Sequence, residues 1–407
     1  MLTKKIIKCF ILTACCATIT ICGIIGCRYT KTVGEQNKNK EKIVLTQPTK
    51  HVSNVSLLMV GDNLIHSPIY KYGKTENGYD FTHLYENIKS DVEAADIAII
   101  NQETIFVENE SDYSSYPMFG SPTEIGDAAV EAGFDVFAHA TNHTIDKGEK
   151  GILETIAYWE TKHPDITFLG IHDDQRDSDI SYITRNDIKF AFVNYTYGLN
   201  GLDSRLKGQE FMIDRLTDSD IETTLKVAED NAEVTVAILH VGTEYVYEPT
   251  KYAKEQVERF IDNGADIVLC AHPHVIEPYE VITTENGNSG LVYYSLGNFI
   301  SAQDEVPRIV GGMAKINVQK TKFLNMEKIE ILDYDMVPLI THQSYKTYTT
   351  YKLSDYTDQL CNSHTLQRKQ KFSCAWLSDF FYGIVGREEK EPLQIYYHNI
   401  EIKLKED

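Results

Sequence analysis

Between residue 52 and about residue 301, short apolar runs alternate with amphipathic stretches. The runs at 55–60, 97–100, 136–138, 166–169, 190–195, 234–239, 267–270 and 292–296 have strand length and are bounded by polar or turn residues. In the stretches at 81–94, 124–132, 150–159, 218–230 and 251–263, apolar positions recur every three or four residues, which predicts helices. Gly133 and Gly264 follow two of these as C-caps. Strands alternating with helices predict a layered α/β sandwich, and residues 53–303 suffice for one large domain. No internal repeat is visible.

After Gly312 the pattern changes. Residues 313–318 and 326–332 alternate like antiparallel strands, 345–356 is rich in Tyr, Thr and Lys, 375–385 is helical, and 395–404 predicts a last strand. Residues 304–407 are therefore expected to form a small mixed α+β appendage packed on the main domain.

Candidate chemistry gathers where the predicted strands end, the place at which open α/β sheets build their sites. Asp62 follows Leu57-Leu58-Met59-Val60-Gly61, Glu103 follows Asn101-Gln102, and Asn142-His143 follows Thr141. His240 closes an apolar run with Glu244 four residues on, and His272-Pro273-His274 closes another. Each has an ordinary reading when taken alone. Asp62 could cap a helix, Glu103 could be a solvated loop residue, and Asn142 could be a turn asparagine beside an ordinary histidine. His240 could be a hydrogen-bonded core residue, and Asn298, in Ser295-Leu296-Gly297-Asn298-Phe299, could occupy a left-handed turn. His139 reads as core-facing. Together, carboxylates, imidazoles and an amide oxygen suit a divalent ion such as Mn, Zn or Fe, among which the sequence does not distinguish. His143 could face a substrate as general acid or oxyanion donor, and Glu244 could orient His240. There is no Gly-rich phosphate loop, Ser nucleophile elbow or dinucleotide fingerprint.

Charge and leader bound the setting. The net charge of -21 argues against a nucleic-acid partner. Without Lys4, Lys5 and Lys8 it is about -24, which repels an anionic polymer unless a basic patch or metal ions intervene. Those lysines precede an uncharged, mostly apolar stretch from residue 9 to 26, so residues 1–27 read as a signal peptide or membrane anchor. Ile24-Ile25-Gly26-Cys27 looks like a lipobox with Cys27 as the lipidated residue; an uncleaved signal anchor and simple secretion are the alternatives. Residues 28–52 are polar and Lys-rich and predict a flexible tether. Five of the eight cysteines lie in the leader, leaving Cys270, Cys361 and Cys374, so this is no disulfide-built scaffold. Cys270 reads as a buried small hydrophobe; Cys361 and Cys374 could pair.

Gly61-Asp62, Asn101-x-Glu103, Thr141-Asn142-His143 with Asp146 and Gly148, His240-x-Gly242-x-Glu244, His272-Pro273-His274-Val275 and Ser295-Leu296-Gly297-Asn298-Phe299 together resemble the bacterial CapA family. These are capsule and poly-γ-glutamate (PgsA-type) synthesis proteins, and the family is similar in turn to calcineurin-like metallophosphoesterases. The resemblance implies metal ligation by Asp62, Glu103, Asn142, His240, His272 and His274. It implies His143 as the acid beside a leaving group, with Asn101, Asp146, Glu244 and Asn298 supporting the ligands or contacting substrate. It further implies a place at the outer face of the cell membrane, held by the N-terminus. The expected partner is an anionic capsule polymer or its synthase and export complex. Two roles follow: an accessory subunit of polymer synthesis or export, or a stand-alone metal-dependent hydrolase of phosphoesters or amides. Departures from the phosphoesterase pattern are Leu64 two residues after the first Asp, where those enzymes carry His, and Glu103 in an Asp place. His66 is expected to point elsewhere.

Overall fold

A computed structural model describes residues 49–175, 180–324, 326–345, 347–386 and 391–399. The expected leader, most of the tether and the end of the expected strand 395–404 lie outside the described residues. The described residues form one compact unit.

Two mixed sheets stack face to face. The principal strands are β1 (His51–Asn63), β2 (Ile97–Asn101), β3 (Val136–Ala138), β4 (Thr167–Leu169), β5 (Ser181–Arg185), β6 (Ile188–Thr196), β7 (Val234–His240), β8 (Ile267–Ala271), β9 (Tyr279–Thr283), β10 (Ser289–Tyr293), β11 (Asn298–Ile300), β12 (Val310–Phe323), β13 (Met326–Ser344), β14 (Thr347–Lys352) and β15 (Leu393–Asn399). The first sheet runs β14-β13-β12-β1-β2-β3-β4, with β11 also on β1 and β15 also on β13; the second runs β9-β10-β8-β7-β6-β5. Strands β1 to β4 are mutually parallel, as are β6, β7, β8 and β10. The longer helices are α1 (Glu124–Ala132), α2 (Gly148–Lys162), α3 (Ile221–Asn231), α4 (Lys251–Asp262) and α5 (Cys374–Val385).

Alternation along each strand explains the layers. Val55, Leu57 and Met59 join the core between the sheets with Phe190, Phe192, Val236 and Ile238. Leu58 and Val60 point the other way, onto Ile125 of α1 and Trp159 of α2. On the second sheet, Val193 and Tyr195 meet Leu225 of α3 and Phe260 of α4. Successive strand side chains face opposite ways, so a continuous apolar run means both faces are covered. Each such fully buried side chain contributes roughly 1.5–3 kcal/mol. The result is the layered α/β sandwich expected from the sequence, with helices outside both sheets.

Most predicted elements are present, and the differences have physical causes. The expected helix at 81–94 is a 3-10 turn at Thr82–Leu84 and a short helix at Lys89–Glu93. Its periodic residues Phe81, Leu84, Tyr85, Ile88 and Val92 are all buried, but the Asp80 carboxylate accepts the Thr82 amide at 2.9 Å and stabilises a tight turn. Strands β5 and β9 carry no full apolar run because each lies at a sheet edge. The expected strand 292–296 stops at Tyr293. Gly297, at φ 61°, turns the chain out of the second sheet and into β11, which pairs with β1 at Asp62. The C-terminal strands continue the first sheet, β12 pairing with β1 from His51↔Lys322 to Val60↔Met313.

Candidate metal centre

The site lies where β1, β2, β3, β7 and β8 end together, so five separate stretches of sequence deliver side chains to one place. Asp62, Asn101, Glu103, Asn142, His143, Asp146, His240, His272, His274 and Asn298 are all at most 5% exposed.

Glu103 is the centre of the group. Its Oε1 lies 3.7 Å from His240 Nε2 and 3.7 Å from His274 Nε2. Ligand atoms of Glu103, His272 and His274 fall within 4.8 Å of one another. Asp62 binds three ways: Oδ2 accepts from His274 Nδ1 at 2.9 Å, and Oδ1 accepts from Asn101 Nδ2 at 2.8 Å and the His272 amide at 3.3 Å. His240 sits between two amides, with Asn142 Oδ1 3.1 Å from Nε2 and Asn101 Nδ2 3.4 Å from Nδ1. Thr141 donates its hydroxyl to the Glu103 carbonyl at 2.8 Å, tying the second and third strand ends together.

The backbone is shaped for these contacts. His272 and His274 take φ of 107° and 59°, a conformation uncommon outside glycine. Such strain persists only where the surroundings hold it. Here Asp62 grips the His272 amide, and Tyr245 N donates to Pro273 O at 2.8 Å.

Protonation fits metal ligation. Burial holds His240 and His272 well below the usual histidine range, so both imidazoles are neutral, the form that ligates a metal. Burial pushes Glu103 well above the carboxylate range; His274 opposes this, and Asp62, Glu244 and Asp146 add to it. Burial would lower His274 too, but Glu103 and Asp62 overcome it and raise the ring to about 9. Both carboxylate oxygens of Glu103, Nδ1 of His272 and Oδ1 of Asn101 are buried without a hydrogen-bond partner. Buried polar atoms are rarely left so, and carboxylate and imidazole donors that converge unpaired are what a divalent ion satisfies.

The six residues expected as ligands are thus brought together. His143 stands beside them, its Nδ1 donating to Asp146 Oδ2 at 2.8 Å and its ring edge-on to Phe119 at 4.7 Å. Glu244 does not reach His240 as expected: it is exposed and engages Tyr245, while Asn101 holds the imidazole. A short turn through Gly242, at φ 137° and with no room for a Cβ beside Pro273, carries it outward. Asn298 supports the site through its amide, which donates to the carbonyls of His274 at 3.3 Å and Arg308 at 2.9 Å. His139 is a core residue that accepts from Trp159 Nε1 at 2.9 Å. His66 packs edge-on against Phe119 at 5.3 Å and accepts from Ala302 N at 3.3 Å, and burial holds it near 4. Residues not singled out from sequence are Phe119, Tyr197, whose ring lies 4.6 Å from His272, and the pair Tyr245 and Arg308. Tyr197 follows β6 directly, so its strand-end place was a usable signal; Phe119 had none.

The profile of the family described as bacterial capsule synthesis protein PGA_cap matches residues 56–303. The chain is 26% identical over 266 residues to the capsule biosynthesis protein CapA of Bacillus anthracis, covering 63% of this chain and 62% of the relative. It is 28% identical over 180 residues to the PGA biosynthesis protein CapA of Bacillus subtilis (strain 168), covering 42% and 44%. In neither case does the match reach two thirds of the relative's length. Among solved structures it is similar to a putative 5'-nucleotidase from Staphylococcus aureus in complex with alpha-ketoglutarate, at TM-score 0.43 and 15% identity over 72% of this chain and 56% of that one.

Proposed function

The chain belongs to the bacterial capsule synthesis family PGA_cap, and from that premise we propose that it acts outside the cytoplasm in making or exporting an anionic capsule polymer, which it engages through a divalent ion. The observation that carries the metal part is Glu103: a fully buried carboxylate, neither oxygen hydrogen-bonded, between His240 and His274. Asp62, Glu103, Asn142, His240, His272 and His274 would hold the ion or ions. Bound there, a divalent ion would supply Lewis acidity and offset the repulsion between an acidic protein and a polyanion. Anchoring at the outer membrane face is supported by the sequence of residues 1–27 alone. Among the described residues no helix is long and apolar enough to cross a membrane.

A second reading, a metal-dependent hydrolase of phosphoesters or amides, is favoured by His143. Asp146 orients its ring at 2.8 Å and Phe119 covers one edge, the arrangement of a positioned acid beside a metal.

Elemental mass spectrometry of the purified protein tests the site. About one or two transition-metal equivalents are expected, lost in the His272→Ala/His274→Ala double variant; no metal after reconstitution with Mn²⁺ and Zn²⁺ overturns it. Complementation of a gene deletion with His143→Ala separates the roles. Full capsule recovery supports the accessory role, and loss of capsule with metal retained supports hydrolysis.

A further inference from the structure

Arg308 stands beside the metal centre in the 3-10 turn Val306–Ile309, and the structure ties it there from two sides. From the backbone, the Asn298 amide that reaches the His274 carbonyl also donates to Arg308 O at 2.9 Å. From the side chain, the guanidinium lies over the Tyr245 ring at 3.7 Å from its centroid, and that ring lies 6.1 Å from the His274 ring. Gln303 closes the frame, accepting from Asn298 Nδ2 at 3.0 Å and donating to the Tyr245 hydroxyl at 3.3 Å. Tyr245 itself is held at φ 64°.

A guanidinium stacked this way keeps its planar fork fixed. Its Nε is buried without a hydrogen-bond partner, and Nη2 lies 3.4 Å from Glu305, an exposed carboxylate that an incoming anion can displace. Arg308 remains 21% exposed and Tyr245 37%, so the pair is reachable from solvent. We propose, resting on the capsule-polymer reading above, that Arg308 stacked on Tyr245 takes a carboxylate of a polyanionic chain whose neighbouring repeat lies at the metal centre. The chemistry selects the ligand class. A net charge of -21 repels a polycarboxylate, and a fixed guanidinium fork beside the metal ligands offers bidentate pairing to a carboxylate that an amide cannot match.

Calorimetry on the full chain in detergent micelles, loaded with Mn²⁺, tests this with two probes: a γ-linked hexamer of glutamate, and the same hexamer with its α-carboxylates amidated. The wild type is expected to prefer the carboxylate form. Arg308→Ala should weaken that form by about tenfold or more, with bound Mn²⁺ and affinity for the amidated hexamer unchanged. Arg308→Lys, which keeps the charge and loses the fork, should recover only part of the difference. Equal binding of the carboxylate hexamer by wild type and Arg308→Ala overturns the subsite, as does a wild type indifferent to amidation. Inorganic phosphate displacing the hexamer at equal concentration overturns the choice of carboxylate. If the wild type holds no metal but Arg308→Ala still weakens the carboxylate hexamer, the metal reading fails and the subsite stands.

Discussion

Gly61 and Gly297 meet so closely that a Cβ on Gly61 would lie 1.9 Å from the Gly297 carbonyl oxygen. The next residue uses the same oxygen, Asp62 N donating to it at 2.9 Å. One glycine contact thus joins the end of β1 to the turn where the chain leaves the second sheet, and it fixes Asp62 beneath His274.

Replacing Gly61 should therefore damage fold and site together. Gly61→Ala is expected to cost about 2–4 kcal/mol, read as a lower urea midpoint, with reduced metal content in the surviving folded fraction. Gly383→Ala is the contrast. Gly383 is exposed in α5 with nothing near its would-be Cβ, and alanine there should stabilise by roughly 0.5–1 kcal/mol. Equal effects of the two substitutions would remove the special role of the Gly61–Gly297 contact.

Metal uptake should release protons. At neutral pH His274 carries one, its ring raised to about 9 by Glu103 and Asp62 against the burial that would lower it. A ligating imidazole must be neutral and a ligating Glu103 ionised, so each ion bound there expels at least the His274 proton, and apparent affinity should rise by about tenfold or more per pH unit until the ring's own range is passed. Calorimetry in buffers of different ionisation enthalpy measures the release. A proton count near zero at pH 7 would contradict the assignment of His274 as a ligand.

Glu277 should make stability fall as pH rises. It is fully buried, both carboxylate oxygens lack a hydrogen-bond partner, and burial, helped by Glu248, lifts it from 4.5 to about 8. Between those values the folded chain binds more protons than the unfolded one, so this group's contribution declines from pH 4.5 to about 8. Glu277→Gln should melt above the wild type at pH 8, with the gap closing towards pH 5. A gap that does not change with pH would exclude the titration.

Lys320 ties the two sheets. It leaves β12 of the first sheet and meets Glu233, at the foot of β7 in the second, at 2.5 Å, with Glu327 at 3.2 Å and the Asp187 carbonyl at 2.6 Å. The ammonium end is buried, and Glu233 and Glu327 are mostly covered. Lys320→Ala should leave those carboxylates facing each other and cost about 2–3 kcal/mol in denaturant titration. The double variant Lys320→Met/Glu233→Gln should lose less than the single one.

The sequence by itself determined the layers and the polar residues that gather at the strand ends. Runs such as 234–239 and 267–270 are apolar on both faces, which only a strand covered on two sides tolerates, and the polar residues that end them could not follow the strands into the core. That marked Asp62, Glu103, Asn142, His240, His272 and His274 as strand-end candidates, and the family resemblance implied their place as ligands. Local pattern did not reveal which residue each of these meets. Glu244 stands four residues from His240 yet is carried outward, whereas Asn101, from another strand, holds the imidazole. Arg308 lies beyond the last motif and reaches the site only because Gly297 hands the chain from one sheet to the other. The helix expected at 81–94 kept its buried face and lost its regularity, because burial is written in spacing while backbone hydrogen bonding was settled by neighbours such as Asp80. Periodicity records which side of an element avoids water; partners across the fold depend on strand order and turn geometry, which tertiary packing alone decides.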